Sequence, residues 1–198
     1  MKSLYLATQN SHKVEELSAL LGDLFQIRAL SELNISEEIP ETGQTLAENS
    51  MQKARYVAER FGVTCLADDS GLEVRALNGA PGVFSARYAG EPKNDQANCV
   101  KLLSEMRDMN DRQARFVTVL TFHEDGQFVQ FEGEIIGEIT HKARGQHGFG
   151  YDPLFVPLNA DKTFAEMSLS EKNKIAHRAH ALEKFKLFVD ESLLFHDE

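Results

Sequence analysis

Residues 66–74 read Leu-Ala-Asp-Asp-Ser-Gly-Leu-Glu-Val, an apolar strand that runs into two adjacent carboxylates, Asp68 and Asp69, and then into a Ser-Gly turn. Open α/β sheets bind ligands beyond the carboxyl ends of their strands, and hard divalent cations take oxygen donors, so the pattern points to metal-assisted chemistry. Side chains on a strand alternate between faces, which lets at most one of the pair point straight into a cleft. Asp69 is the residue expected there. Taken alone, the same tetrapeptide also reads as a polar turn, because Asp, Ser and Gly are turn formers.

Three further segments carry chemistry. Thr8, Gln9, Asn10, Ser11, His12 and Lys13 fill the loop between a first strand and a first helix, where small polar residues leave backbone N–H groups to an anion. A lysine in a first helical turn opposes the helix dipole by roughly 0.3–1 kcal/mol, a sign that a phosphate bound at Lys13 would reverse. The glycines and Gly-Lys-Ser/Thr of a P-loop are missing. Glu41 precedes a helix on which Asn49 and Lys53 stand four residues apart on one face, so it is placed to swing in as a second metal carboxylate. Residues 145–153, Gly-Gln-His-Gly-Phe-Gly-Tyr-Asp-Pro, alternate glycines with aromatics, letting a backbone approach a flat ligand while Phe149 or Tyr151 offers a stacking face. Lys172, His177 and Arg178 lie farther on. An ideal helix points these three in different directions, so they meet one ligand only if Lys172 sits at or before the first turn. Each segment also has a bland reading: a solvated lysine, a surface Asn/Lys pair, a bend between strands.

The elements that must position these residues alternate strand and helix. Leu4 to Ala7 form a short apolar strand, and Val14, Leu17, Leu20 and Leu21 recur at helical spacing behind it. Thr45 with Glu48 makes a capping box for a helix with Leu46, Ala47, Met51, Ala54, Ala58 and Phe61 as its apolar stripe. Asn94 or Asp95 caps a third helix, with Ala97, Val100, Leu103 and Met106 expected inward. Residues 115–122 and 128–134 are rich in β-formers and flank a Glu-Asp-Gly-Gln turn, so a hairpin joins the sheet. Ser168 with Glu171 is a further capping box, and the apolar residues Ile175, Ala179, Leu182, Phe185 and Val189 predict a long C-terminal helix behind it. The sum is an α/β fold with a mixed sheet.

Composition excludes several classes. The chain has 198 residues, enough for one sizeable domain or one domain with two lobes, and its 42% hydrophobic and 26% charged residues are those of a globular protein. The first apolar run is too short for a signal-peptide core or a membrane span, which predicts a cytoplasmic address and no membrane partner. Cys65 and Cys99 form no metal or disulfide spacing and read as buried thiols. A net charge of -10 argues against a nucleic-acid polymer as partner, so a polyanionic ligand must be met locally by a few lysines and a metal.

Several motifs then converge. Thr8-x-Asn10-x-x-Lys13, Glu41-Thr42-Gly43-x-Thr45, Glu48-Asn49, Ala67 to Leu72, Gly79 to Val83, Ser85 to Gly90, Phe149 to Pro153 and His177-Arg178 resemble the inosine triphosphate pyrophosphatase family, in order from residue 4 to about residue 182. Departures are mild: Gln9 where many members have glycine, Arg75 where an acidic residue is usual, and His147 at a commonly small position. The resemblance implies a Mg²⁺-dependent hydrolase that cuts deaminated purine nucleoside triphosphates, ITP, dITP and XTP, between the α and β phosphates. It also implies an elongated mixed β-sheet flanked by helices, two lobes around a central cleft in one domain over residues 1–198, and a homodimer.

Residue reading and resemblance together assign roles. Thr8 to Lys13 and Lys53 hold the triphosphate, Glu41 and Asp69 ligate Mg²⁺, and Asp69 takes the proton of the attacking water, with Asp68 in reserve. Ser70 holds substrate near Asp69. Phe149, Gly150, Tyr151 and Asp152, with Lys172, His177 and Arg178, form the nucleoside side, Arg178 being the expected donor to the 6-oxo group. Two rivals stay open: a phosphatase releasing single phosphates, and a silent nucleotide sensor, which would not need to keep the metal carboxylates.

Overall fold

Apolar runs alternating with capped helical stretches give an α/β architecture in the computed structural model of the protein, which describes residues 1–35, 37 and 39–194. In chain order the elements are β1 (Lys2–Ala7), α1 (Ser11–Leu21), β2 (Phe25–Ala29), α2 (Leu46–Phe61), β3 (Cys65–Val74), α3 (Asp95–Glu105), β4 (Gln113–Glu124), β5 (Gln127–Ile139), β6 (Phe155–Pro157), α4 (Leu169–Ile175) and α5 (His177–Leu194). The strands form one six-stranded sheet in the order β2-β1-β3-β4-β5-β6. β1 pairs in parallel with both β2 and β3, connections that need the crossovers α1 and α2 supply. β5 pairs antiparallel with β6, and the two residues Asp125 and Gly126 are all that join β4 to β5, so the sheet is mixed, as expected.

The chain divides into two compact units. The first, residues 1–69, 118–133 and 180–198, is built on Leu4, Leu6, Leu66, Leu120, Phe122 and Phe185, with a second apolar cluster of Ala7, Ala54, Val57 and Ala67 beneath α2. The second, residues 70–117 and 134–179, is built on Leu72, Val74, Leu102, Phe116, Phe155 and Phe164. Among the described residues no helix is long and apolar enough to cross a membrane.

Three local expectations are corrected. Ser70 and Gly71 do not turn the chain, because β3 continues unbroken from Cys65 to Val74. Gly71 is there for close approach: a Cβ on it would lie 2.5 Å from the Gly82 carbonyl oxygen. The two carboxylates are therefore mid-strand, yet the pairing of β3 with β1 ends at Ala7↔Ala67, so Asp68 and Asp69 still follow directly on the carboxyl end of β1. On α3 the inward residues are Asn98, Cys99, Leu102 and Met106, while Val100 is 62% exposed. The face is set by polar Asn98, which a purely apolar count passes over.

The third correction concerns the C-terminal helix, which is two helices. Ala176 takes φ -69 and ψ 153, and its N–H closes α4 on the Lys172 carbonyl at 2.9 Å. Neither glycine nor proline marks the break. Burial explains it, since Lys172, Ala176, His177 and Arg178 are all buried, and an uninterrupted helix would turn some of them outward. Tertiary packing overrides local propensity here.

Candidate functional site

In the first unit the cluster begins at the end of β1. Asn10 caps α1, its side-chain oxygen accepting the N–H groups of His12 at 3.0 Å and Lys13 at 3.4 Å, while Thr8 Oγ1 accepts the Asn10 N–H. The N–H groups of Asn10, His12 and Lys13, three of those expected to serve an anion, thus have a partner within the chain. Lys13 extends to Asp68, pairing with its carboxylate and donating to its carbonyl at 3.3 Å. The anion that balances a lysine in this first turn is internal. Gln9 turns aside, donating to the Glu37 carbonyl, Ser11 opens α1, and His12 is exposed.

Lys53 on α2 is the centre of the cluster. Its buried ammonium donates to Glu41 Oε1 at 3.0 Å, Asp69 Oδ1 at 2.7 Å and the Asp68 carbonyl at 2.7 Å, which uses all three of its protons. Glu41 reaches it because the loop after it is fastened to the start of α2. Asn49 Oδ1 accepts the Gly43 N–H at 2.7 Å, Gln52 Oε1 accepts that of Thr42 at 2.9 Å, and Glu48 Oε2 closes the capping box. Asn49 was expected to share a face with Lys53, and it does, but it serves the loop. The part played by Gln52 has no signal in the sequence.

Counting these groups, three carboxylates (Glu41, Asp68, Asp69) face two ammoniums (Lys13, Lys53), leaving one negative charge in excess. Burial pushes Asp69 above the ordinary carboxylate range, against the pull of Lys53 and Lys13 and with the help of Glu41. Burial also disfavours the charge on Lys53, but Asp69, Glu41 and Asp68 outweigh it and hold that pKa above a free lysine's. Paired carboxylate oxygens converging on one cation, with charge to spare, suit a hard divalent metal. Among the described residues no group of three or more His, Cys, Asp or Glu could hold one unaided. Water and phosphate oxygens would have to complete its shell, as is usual for Mg²⁺.

In the second unit the purine-side candidates also meet. Lys172 Nζ donates to Asp152 Oδ2 at 2.7 Å, with both side chains buried, and the same oxygen accepts the Phe149 N–H at 3.0 Å. Gly148 leaves room for this, since a Cβ there would fall 2.0 Å from that carboxylate oxygen. The Lys172 ammonium lies 4.8 Å from the centre of the Phe149 ring. His177 stacks on Phe116 at 4.8 Å, and Arg178, 2% exposed, donates to Ser70 Oγ at 3.1 Å. Tyr151 is buried, its hydroxyl donating to the Ser85 carbonyl. The break at Ala176 frees Lys172 from the helical phase of His177 and Arg178, so the angular conflict read from the sequence does not arise.

The model of the Ham1 family matches residues 4–188. The chain belongs to the Ham1 family. A dITP/XTP pyrophosphatase of Christiangramia forsetii is 48% identical over 178 residues, which cover 90% of this chain and 94% of that protein. Among solved structures, the Ham1 protein of Staphylococcus aureus has a TM-score of 0.89 at 40% identity, and a HAM1 protein from Coxiella burnetii 0.89 at 42%, each match covering 96% of this chain and all of the other. The family match bears out the motif resemblance, relatives named dITP/XTP pyrophosphatase bear out the expectation of an enzyme, and the solved Ham1 structures, with the sheet described above, bear out the mixed α/β fold.

Proposed function

We propose that this protein hydrolyses deaminated purine nucleoside triphosphates, dITP, XTP and ITP, between the α and β phosphates to give the monophosphate and pyrophosphate. The observation that carries the reading is the cluster of Glu41, Asp68, Asp69, Lys13 and Lys53, buried at Asp68, Asp69 and Lys53, carrying both signs of charge and acidic in sum. Relatives named dITP/XTP pyrophosphatase support the substrate class. Glu41 and Asp69 are the residues that would hold Mg²⁺, which when bound supplies charge neutralisation on the phosphates.

Each residue then has a task in this reading. Lys13 and Lys53, with the polar loop from Thr8 to His12, face the phosphate chain and stabilise charge on the leaving pyrophosphate, a role in which phosphate oxygens replace part of their present pairing with Asp68, Asp69 and Glu41. Asp69, made more basic by burial, accepts the proton of the attacking water. Ser70 is the next residue along β3 and, held by Arg178, orients the substrate beside it. Phe149 stacks on the purine, while Gly150, Tyr151, Asp152, Lys172, His177 and Arg178 frame it, with Arg178 as donor to the 6-oxo group. A 6-amino purine would leave that donor unpaired, which is how a buried polar site rejects the wrong base. Family resemblance supports a homodimer; a cytoplasmic address and one domain over residues 1–198 belong to the same reading.

Purified protein incubated with Mg²⁺ and equal dITP, XTP, ITP and ATP tests the reading. Pyrophosphate from the 6-oxo nucleotides, with ATP largely spared, is the expected result. Inorganic phosphate in place of pyrophosphate, or equal use of ATP, would refute it. Asp69→Asn should lower kcat at least about 100-fold while largely sparing nucleotide affinity, because it removes the base and a metal oxygen but not the lysines.

A further inference from the structure

We propose that Asp95 and Cys99 are positioning residues for the purine-side turn, acting through the backbone of Gly150; this rests on the functional reading above. The two stand four residues apart on α3 and so share a face. The Asp95 carboxylate accepts the Gly150 N–H at 2.7 Å, and the Cys99 thiol donates to the Gly150 carbonyl at 3.4 Å. One helical turn thereby grips both polar groups of a single residue. That residue lies between Phe149, whose ring faces the Lys172 ammonium, and Tyr151, whose hydroxyl is tied to the Ser85 carbonyl.

The chemistry of both partners suits this task. A carboxylate is the stronger kind of acceptor for an N–H, and a thiol donates only while protonated. Burial, reinforced by Asp95 and Asp152, pushes the Cys99 thiol up to about 11, so it keeps its proton at neutral pH. α3 is itself held in place. Asn94 caps it, and Asn98 accepts the Ala89 N–H at 2.7 Å and donates to the Ala86 carbonyl at 3.0 Å. Loosening Gly150 should free the Phe149 ring without touching Asp69 or the lysines, so ground-state binding of the base suffers and the chemical step does not.

Steady-state kinetics with dITP and Mg²⁺, together with calorimetric titration of dIMP, test this on Asp95→Ala, Cys99→Ala and the rescue variants Asp95→Asn and Cys99→Ser. Asp95→Ala is expected to raise KM and the dIMP Kd about tenfold with kcat held within about twofold, the loss of one charge-assisted hydrogen bond. Asn keeps an acceptor oxygen and should recover most of it. Cys99→Ala should show a smaller rise of about twofold to threefold, reversed by Ser, as befits a weaker sulfur donor. Amide exchange at Gly150 in isotope-labelled protein should speed up in both alanine variants, a readout independent of turnover. If Asp95→Ala does not fold, Cys99→Ala and its Ser rescue decide. Folded alanine variants with unchanged KM, dIMP Kd and Gly150 exchange, or with kcat reduced and KM intact, would overturn the proposal. Wild-type protein that releases no pyrophosphate from dITP would overturn the functional reading instead, leaving Gly150 exchange to judge the contact.

Discussion

Asp69 is kept in a place that disfavours its charge. Its folded pKa lies above that of an exposed aspartate, so its contribution to stability is fully present below the unfolded pKa and is lost as pH rises through the folded one. At neutral pH the ionised carboxylate therefore works against folding. Replacing it with asparagine leaves Glu41 and Asp68 balanced against Lys13 and Lys53. Without metal, Asp69→Asn should raise Tm at neutral pH by about 2–4 °C, the shift that ~1 kcal/mol produces in a chain of this size, and the gain should fade on acidification. Added Mg²⁺ should raise Tm in the wild type and not in the variant, because a ligand that binds only the folded state stabilises it. Differential scanning calorimetry across pH measures both, and a lower Tm for the variant at neutral pH would show that the charge balance is wrongly assigned. In the sequence, Asp68-Asp69 and Lys13 stood out by residue type, but that Lys13 pairs with Asp68, and Lys53 with Asp69 and Glu41, was not legible. Those pairings join residues up to 55 positions apart, and spacing speaks only to neighbours.

Caps were the most legible structural feature, because a capping box is a local hydrogen-bond exchange written in four residues. Thr45 with Glu48 and Ser168 with Glu171 both form as read. The break at Ala176 was illegible because it answers to burial and not to a local breaker. α4 has only seven residues, too few to be stable alone, so its cap should matter to Lys172. Ser168→Ala removes the acceptor of the Glu171 N–H and should cost about 1 kcal/mol, with Ser168→Asp retaining most of it. A KM for dITP raised more than kcat is lowered would show the effect reaching Lys172 and Asp152, whereas loss of stability with unchanged kinetics would confine it to the helix. A parallel case lies at the start of α2. Asn49→Ala leaves the Gly43 N–H without its side-chain acceptor and frees the loop that carries Glu41. It should raise the Mg²⁺ concentration for half-maximal activity about tenfold with little change in kcat at saturating metal, as expected from a lost buried hydrogen bond; an unchanged Mg²⁺ requirement would show that Asn49 does not govern Glu41.

On the scale of the whole molecule, composition announced a core-forming globular chain and the alternation of strand and helix an α/β one; two lobes were expected from the motif resemblance, but where the two units divide was not legible. Each unit is assembled from separated segments, and β3, β4 and β5 supply residues to both, so no linker or shift in composition marks a boundary. Net charge, in contrast, is a property the sequence states outright, and it has a kinetic consequence. A protein of charge -10 repels a polyanionic nucleotide at long range, whatever its lysines do at contact. Raising ionic strength from about 0.01 M to about 0.1 M shortens the Debye length from ~30 Å to ~10 Å and screens that repulsion before it weakens the buried pairs. kcat/KM for Mg²⁺-dITP should therefore hold or rise over this range, opposite to the steep fall of a basic, phosphate-binding protein. Reversing the exposed charges Glu59, Asp190 and Glu191 to lysine should raise kcat/KM at low salt and flatten its salt dependence, without altering kcat. A steep loss of kcat/KM with salt in the wild type would mean that attraction at the lysines extends beyond the site and outweighs the charge of the whole.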